Sequence, residues 1–402
     1  MYNLLIKNGR VLDPGRGLDG VQDVAVEKGK IARIAPDIDA RDAERVIDVS
    51  GKLVTPGLID MHAHVAWGMG APGVAEMNLH PDIAGVRAGV TTVVDAGSTG
   101  SHNFGGLVHL TIPSARTRVL PFLHLDRTGL AAMPDAPYRQ STDLDATIKT
   151  IEAYKPLILG TKLRMVSPGI DNVGLELPRM AIKAARETGT RYMVHVGDTS
   201  LPPSESAPSL TWQMLDMMAP GDIITHIYTA NPGGMLDSSG EVVPQLREAI
   251  DRGVVLDSAH GRRNVSFDAA RKLLDQGIVT DVISSDLTAP GRGYIVYSLT
   301  ECMAKFLMLG FTLEQVIEKT TAAPARVLGM SDTLGALAVG READISVLDV
   351  VNGDWLFQDA FGKSERGERA IVPVLTVRAG EVFTPDWGPR PWGWLPERAC
   401  GG

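Results

Sequence analysis

Along the first fifty-odd residues apolar and polar positions alternate between turn signals, in YNLLIKNGRVLD, VQDVAVEKGKIARIA and ERVIDVSGKLVTPG. A period of two turns one face of an extended segment toward a core and the other toward solvent, so these stretches predict short antiparallel strands. The far end has the same texture, in GALAVG from Gly335 to Gly340, then ADISVLDV and IVPVLTVRAGEVF. Both ends are expected to meet in one small β-sandwich. Between them come short apolar runs, each followed by a helix-like stretch. The candidate strands lie around Gly57–His62, Thr92–Ala96, Arg118–Leu123, Ile158–Arg164, Arg191–Val196, Asp222–Ile227, Val254–Ala259 and Asp281–Asp286. Helical stretches such as LELPRMAIKAARETG and DAARKLLDQG end on a glycine, the usual stop signal. Eight β-then-α units over about 280 residues match a closed parallel (β/α)8 barrel of about 250 residues. The expected fold is therefore α/β: residues 1–56 begin the sandwich, 57–334 form a TIM-like barrel, and 335–402 complete the sandwich and add a Trp/Pro-rich tail.

In such a barrel the chemistry collects at the C-terminal ends of the strands. Strand 1 ends in Asp60-Met61-His62-Ala63-His64, and alternate strand residues share a face, so His62 and His64 can present two imidazoles side by side. Strand 4 closes with Gly160-Thr161-Lys162-Leu163-Arg164, strand 5 with Val194-His195, strand 6 with Thr225-His226 and strand 8 with Ser284-Ser285-Asp286. Four imidazoles and a carboxylate suit zinc and similar first-row ions. Lys162 has two readings: a carbamate formed with CO2, an anion able to bridge two ions, or an ammonium paired with Asp286 or with a substrate carboxylate.

The ordered set His62, His64, Lys162, His195, His226 and Asp286 resembles the binuclear amidohydrolase superfamily. The approach Val54-Thr55-Pro56-Gly57-Leu58-Ile59-Asp60-Met61-His62 and the stretches Gly89–Asp95 and Ala323-Pro324-Ala325 carry the same resemblance. It points to the amidohydrolase/deacetylase, dihydroorotase-like group, some of whose members remove acetyl groups from amides or esters. The resemblance implies a metal-dependent hydrolase holding two divalent ions, zinc first among them. His62 and His64 would bind the buried ion, His195 and His226 the more exposed one, and carbamylated Lys162 would bridge both. Asp286 would complete the buried site and shuttle the proton, with a hydroxide shared between the ions attacking an amide or ester of a small N-acyl or O-acyl substrate. A dihydroorotase or other cyclic amidase is the alternative, although Val65-Ala66-Trp67-Gly68 after the first histidine pair lacks the arginine usual there. A non-catalytic scaffold related to dihydropyrimidinases is the reading from another class.

Arg164, on the face of Lys162, is a candidate clamp for a substrate carboxylate or a partner of loop carboxylates. His260 and Tyr228 are further candidate substrate contacts, and Asn172 a weaker one; Asp95, ending strand 2, reads as support. His80, His102, His109 and His124 lack partners at a motif spacing. The net charge of −9 is spread along the chain without a basic block, so the expected partner is a small molecule and not nucleic acid. Only Cys302 and Cys400 occur, and neither a signal peptide nor a membrane span is read, so a reduced, cytoplasmic homo-oligomer is expected. In the tail, Trp387, Trp392 and Trp394 stand among prolines that forbid a helix, and their indoles are expected to be buried on the sandwich or a neighbouring subunit.

Overall fold

The computed structural model describes residues 1–70, 76–131 and 139–399. Residues 71–75 and Cys400 lie outside them. From the N-terminal end come β1 (Leu4–Asp13), β2 (Leu18–Glu27), β3 (Lys30–Ala35), β4 (Val46–Asp48) and β5 (Leu53–Pro56). The next seven strands are β6 (Leu58–Ala63), β7 (Val90–Gly100), β8 (Arg118–His124), β9 (Gly160–Arg164), β10 (Arg191–His195), β11 (Ile223–Thr225) and β12 (Val255–Asp257). The C-terminal end adds β13 (Ile345–Gln358), β14 (Ser364–Arg378), β15 (Glu381–Phe383) and β16 (Glu397–Arg398).

The strands of the two ends join as the alternation predicts, but in one continuous sheet of nine strands. Its order is β15-β14-β13-β5-β1-β2-β3, with β4 beside β1 and β16 beside β13. The seam lies where Val347 of β13 faces Val54 of β5, which in turn faces Val11 of β1. Those three valines pack with Ile6, Val24 and Val377 in a cluster of their own.

β6 to β12 form a parallel sheet in sequence order. The eighth position is filled by residues 282–287, which make no regular strand. Val282 bridges to Asp257 on one side and Leu287 to Ala63 on the other, so the ring closes through isolated bridges. The physical reason is local: Asp286 has φ +49°, as His226 has +68° and Ala259 +34°, and such backbone cannot continue a ladder. The same turns cut β11 and β12 to three residues each, shorter than the apolar runs suggest. Inside the barrel Ile59, Met61, Val94, Phe122, Met193, Ile223 and Val282 pack together, and Ala323, Ala325 and Leu328 cover them. One end of the barrel is thus a filled core, and polar chemistry is left to the rim where the strands end.

Outside the ring lie helices with one apolar stripe, among them α1 (Glu176–Glu187), α2 (Pro244–Asp251), α3 (Phe267–Asp275) and α4 (Leu299–Met308). α1 buries Leu177, Ala181, Ala184 and Ala185, the i, i+4, i+7 and i+8 positions that face the sheet. α4 differs: its buried set includes Glu301 and Lys305. Among the described residues no helix is long and apolar enough to cross a membrane.

Candidate active site

A cavity of about 920 Å³ opens at the C-terminal rim, and His62, His64, Lys162, Arg164, His195 and Asp286 are in its wall. Asp286 is the hub. Its Oδ1 lies 3.2 Å from His64 Nε2 and 3.5 Å from His62 Nε2, and its Oδ2 lies 4.0 Å from His226 Nε2. The rings crowd one another, with centroids 5.1 Å apart for His62 and His226 and 4.1 Å for His195 and His226. Lys162 Nζ is 3.2 Å from His62 Nε2. All six residues expected from the strand ends therefore converge on one place.

The second nitrogens of the rings are held from behind. His64 Nδ1 meets Ser98 Oγ at 2.9 Å, His195 Nε2 meets Gly197 O at 3.1 Å, and His226 Nδ1 meets Ala259 O at 2.6 Å. A carbonyl can only accept, so His195 and His226 each donate there and turn the other nitrogen, unprotonated, elsewhere. Asp95 supports as expected: it accepts from the amides of Val65 at 2.9 Å and Ser98 at 2.8 Å, fixing the serine that touches His64.

Two buried carboxyls that the sequence reading assigned no role also stand behind the site. Asp257 Oδ2 is 3.5 Å from His62 Nδ1, and its Oδ1 accepts from Ser284 Oγ at 2.6 Å. Asp60 accepts from Ser285 Oγ at 2.5 Å and from the Ser285 amide at 3.0 Å, tying the first strand to the segment that carries Asp286. Burial pushes Asp257 up to about 7 and Asp60 up to about 6. The available signal was a carboxylate two residues before the end of each expected strand, Gly57–His62 and Val254–Ala259.

Burial also governs the ligand candidates. It drives His62 and His195 well below the ordinary imidazole value and His226 down to about 3, with neighbouring positive charge on Lys162 and Arg164 adding to the effect. These rings are neutral. Burial works to raise Asp286, but the hydrogen bond from His64 and the positive charge of Lys162 help to outweigh it and leave the carboxylate below its usual range. His226 Nε2 and His62 Nδ1 are buried without a hydrogen-bond partner. His226 Nε2, bare because Nδ1 donates to Ala259 O, faces the Asp286 carboxylate in a dry site, which is costly unless a cation lies between them. The donor set fits a divalent ion, and ligand atoms of His62, His226 and Asp286 lie within 4.8 Å of one another.

Lys162 makes no ion pair with Asp286 among the described residues, so that half of its unmodified reading finds no support. Its pKa is lowered to about 8 by burial. Arg164 reaches the cavity and donates to Thr199 Oγ1 at 3.1 Å. Arg262 and Arg263, exposed at the mouth, were not singled out in the sequence because they follow the strand end by several residues.

Two expected substrate contacts point elsewhere. His260 is buried against α4, with Nε2 3.1 Å from Lys305 Nζ and Nδ1 3.1 Å from Gly261 O. Tyr228 is buried in the core, donating its hydroxyl to Ile278 O at 3.3 Å and accepting from the Thr280 amide at 3.0 Å. The positive φ at His226 and Ala259 turns the chain just before each of them, so a place at the strand end does not carry the side chain to the rim. Asn172 is exposed and outside the cavity wall, as are His102 and His109, while His80 caps a short helix. His124 is buried at the end of β8 and accepts from the Asp126 amide at 3.0 Å. Cys302 is a free, buried thiol. In the tail Trp387 and Trp392 are 74% and 55% exposed, which corrects the expected burial within this chain. Their indole N–H groups are satisfied inside the tail, by Pro391 O and Leu395 O.

Comparison with known proteins agrees with this geometry. The model of the "Amidohydrolase family" matches residues 53–376. A deacetylase of Brucella anthropi is 30% identical over 371 residues, covering 91% of this chain and 89% of the relative. Among solved structures, an adenine deaminase superposes with a TM-score of 0.85 at 28% identity, covering 96% of this chain and all of the other. A dihydroorotase superposes with a TM-score of 0.83 at 28% identity, covering 96% and 98%. The chain is a hydrolytic enzyme and belongs to the amidohydrolase family.

Proposed function

We propose that the chain is a binuclear metal-dependent deacylase that removes an acyl group, acetyl first, from a small N-acyl or O-acyl substrate. The observation that carries the reading is the convergence of His62, His64, Lys162, His195 and Asp286 on the wall of one cavity, with the buried, unpartnered Nε2 of His226 facing Asp286 from beneath it. The deacetylase relative supports the choice of acyl group. Zinc is the ion proposed, since neutral imidazole and carboxylate ligands suit it. Two divalent ions held there would supply an acidified water for attack at neutral pH and a Lewis acid for the carbonyl.

The chain's own residues do the rest. His62 and His64, on alternate positions of β6, would hold one ion with Asp286, and His195 and His226 the other. Lys162 would bridge as a carbamate. Burial brings its pKa to about 8, so a share of neutral amine, the form that adds CO2 with loss of a proton, is present near pH 7. Asp286, ionised and steadied by Asn264 Nδ2 on Oδ2 at 3.1 Å, takes a proton from the attacking water and returns it to the leaving nitrogen or oxygen. Arg164, Arg262 and Arg263 favour a substrate whose leaving portion carries a carboxylate. A cyclic amidase is the second reading, favoured by the likeness to a dihydroorotase structure.

The test is metal content by mass spectrometry on wild type and Lys162→Ala, both with bicarbonate, followed by hydrolysis assays on N-acetyl and O-acetyl acids and on cyclic amides. About two ions per chain, lost in the variant, with acetate released, supports the deacylase. Ring opening without acetate release moves the assignment to the cyclic amidase, and one ion or none in both proteins overturns the binuclear site.

A further inference from the structure

The Pro- and Trp-rich tail reaches α4 through one buried cation. Arg390 is 8% exposed, its Nη2 lies 2.6 Å from Glu301 Oε2 on α4, and its guanidinium sits 3.7 Å over the ring of Tyr297. Glu301 is buried too, and its Oε1 stands 3.9 Å from Lys305 Nζ. Lys305 donates to Ile295 O at 2.9 Å and to His260 Nε2 at 3.1 Å. An ammonium can only donate, so His260 must keep Nε2 bare and carry its proton on Nδ1, where Gly261 O accepts it at 3.1 Å.

His260 lies in the loop that holds two members of the site. Ala259 O accepts from His226 Nδ1 at 2.6 Å, and Asn264 Nδ2 donates to Asp286 Oδ2 at 3.1 Å. Gly261 between them has φ +58°, and a Cβ there would come within 2.3 Å of Asp286 Oδ2, so the loop has no slack toward the carboxylate. A second strap runs beside the first: Asp386 of the tail meets Arg292 at 3.2 Å, in the segment that continues from the cavity-lining residues Thr288, Ala289 and Pro290.

We propose that Arg390 is a positioning residue for the active site, acting through Glu301, Lys305 and His260 on the loop that orients His226 and Asp286. The reason lies in a competition between acceptors. With Arg390 present, Glu301 divides its charge between two cations and Lys305 stays on His260. Without Arg390, Lys305 is the one cation left beside the buried carboxylate among the described residues, and closing their 3.9 Å gap draws Nζ off the imidazole. His260 is then free to change tautomer, and Ala259 and Asn264 shift with it. The inference rests on the reading of His226 and Asp286 as metal-site residues.

The experiment compares the full chain with two variants that break the chain of contacts at different links, Arg390→Met and the isosteric Glu301→Gln. Long-range proton–nitrogen spectra of the histidine rings report the tautomers of His260 and His226, chelator competition reports zinc affinity, and thermal melting reports structure. The expected result is a shift of the His260 and His226 ring signals in Arg390→Met, with zinc affinity about tenfold weaker, the scale at which partners behind metal ligands act, whereas Glu301→Gln, which removes the carboxylate that would draw Nζ away, keeps both near wild type. In the combined variant the ring signals and affinity lost in Arg390→Met are expected to return, because Lys305 has no carboxylate to move to. Wild-type ring signals and zinc affinity in folded Arg390→Met, whatever its melting temperature, or a combined variant no better than Arg390→Met, overturn the proposal. Because the ring spectra need neither substrate nor zinc, a wild-type chain that binds no zinc counts against the metal site and leaves the tautomer result to decide the positioning role.

Discussion

Gly97 and Lys162 are in contact in a way that only glycine permits: a Cβ at Gly97 would lie 2.7 Å from both Cβ and Cγ of the lysine. Gly97 also has φ +79°, which a side chain would strain. The end of β7 is thereby hollowed to let the lysine stem of β9 pass into the site. Gly97→Ala is expected to push Lys162 off its position next to His62. Bound zinc per chain and hydrolytic rate should both fall, by about 10-fold to 100-fold for affinity, as for other partners of metal ligands. Wild-type metal content in the alanine variant would show that the lysine adjusts and that the hollow is incidental.

Asp257 argues a second prediction. Its free oxygen lies 3.5 Å from His62 Nδ1, and burial lifts its pKa to about 7, so its ionised form is poorly solvated until it has a cation or an N–H to face. A metal on the other nitrogen of His62 would turn Nδ1–H toward this carboxyl, the arrangement that strengthens an imidazole ligand. Asp257→Asn keeps the shape and the Ser284 contact while removing the charge. Zinc affinity measured by competition should drop about tenfold with little change in melting temperature of the metal-free protein. An unchanged affinity would assign Asp257 to packing alone.

How far the sequence reached is decided by the same strand ends. His62, His64, Lys162, His195, His226 and Asp286 were readable because each ends a short apolar run, and a closed parallel barrel has only one rim on which such ends can meet. Direction beyond the strand end was not readable. Tyr228 and His260 were given the rim because each stands at or just past a strand end, whereas the left-handed backbone at His226 and Ala259 turns them into the core. Asp60 and Asp257 were passed over because a lone carboxylate in an apolar run has no motif spacing, and only the fold brings Asp257 within 3.5 Å of an imidazole and Asp60 onto Ser285. The two ends could be matched by their period of two, but pairing β13 with β5 in a single sheet depends on a register that local pattern does not encode.

The pH dependence of the metal-free protein follows from buried groups of opposite sign. Five histidines, His62, His124, His195, His226 and His260, are held by burial below the ordinary 6.5, His124 at about 4 and His226 at about 3. Asp60 and Asp257 are raised from 3.8, to about 6 and about 7. Between the ordinary carboxylate and imidazole values the unfolded chain takes protons onto five rings that the folded chain keeps bare. Over the same range the folded chain holds protons on three carboxyls more readily than the unfolded chain, Asp13 being raised by burial as well. Five outweigh three, so the unfolded state binds more protons and stability falls as pH drops from 6.5 toward 4. Asp286, with its folded pKa lowered, adds the same sign below its ordinary 3.8. Chelator-treated protein should melt progressively lower from about pH 7 to about pH 5. A melting temperature that rises over that interval would mean that the rings are charged in the fold and the site is differently built.

Arg262 and Arg263 give the prediction that bears on substrate choice. Both stand at the cavity mouth with Arg164 deeper in the wall, and Arg263 is anchored by its Nη1 on Thr199 O at 3.2 Å. Arg164 is desolvated enough for burial to lower its pKa to about 10, so it stays charged at any working pH and its field in the cavity is strong. The two mouth arginines are exposed and screened, and their contacts with a carboxylate would be made equally in the bound substrate and in the transition state. Uniform binding of that kind changes KM and not kcat. Arg262→Ala and Arg263→Ala are therefore each expected to raise KM for an acyl acid by about tenfold at low salt, consistent with one hydrogen bond to a charged group, with kcat held. The increase should shrink as salt is added and should vanish for the corresponding acyl amide, which carries no charge. If kcat falls instead, or if the uncharged amide suffers equally, the arginines shape the mouth and do not read the substrate's charge.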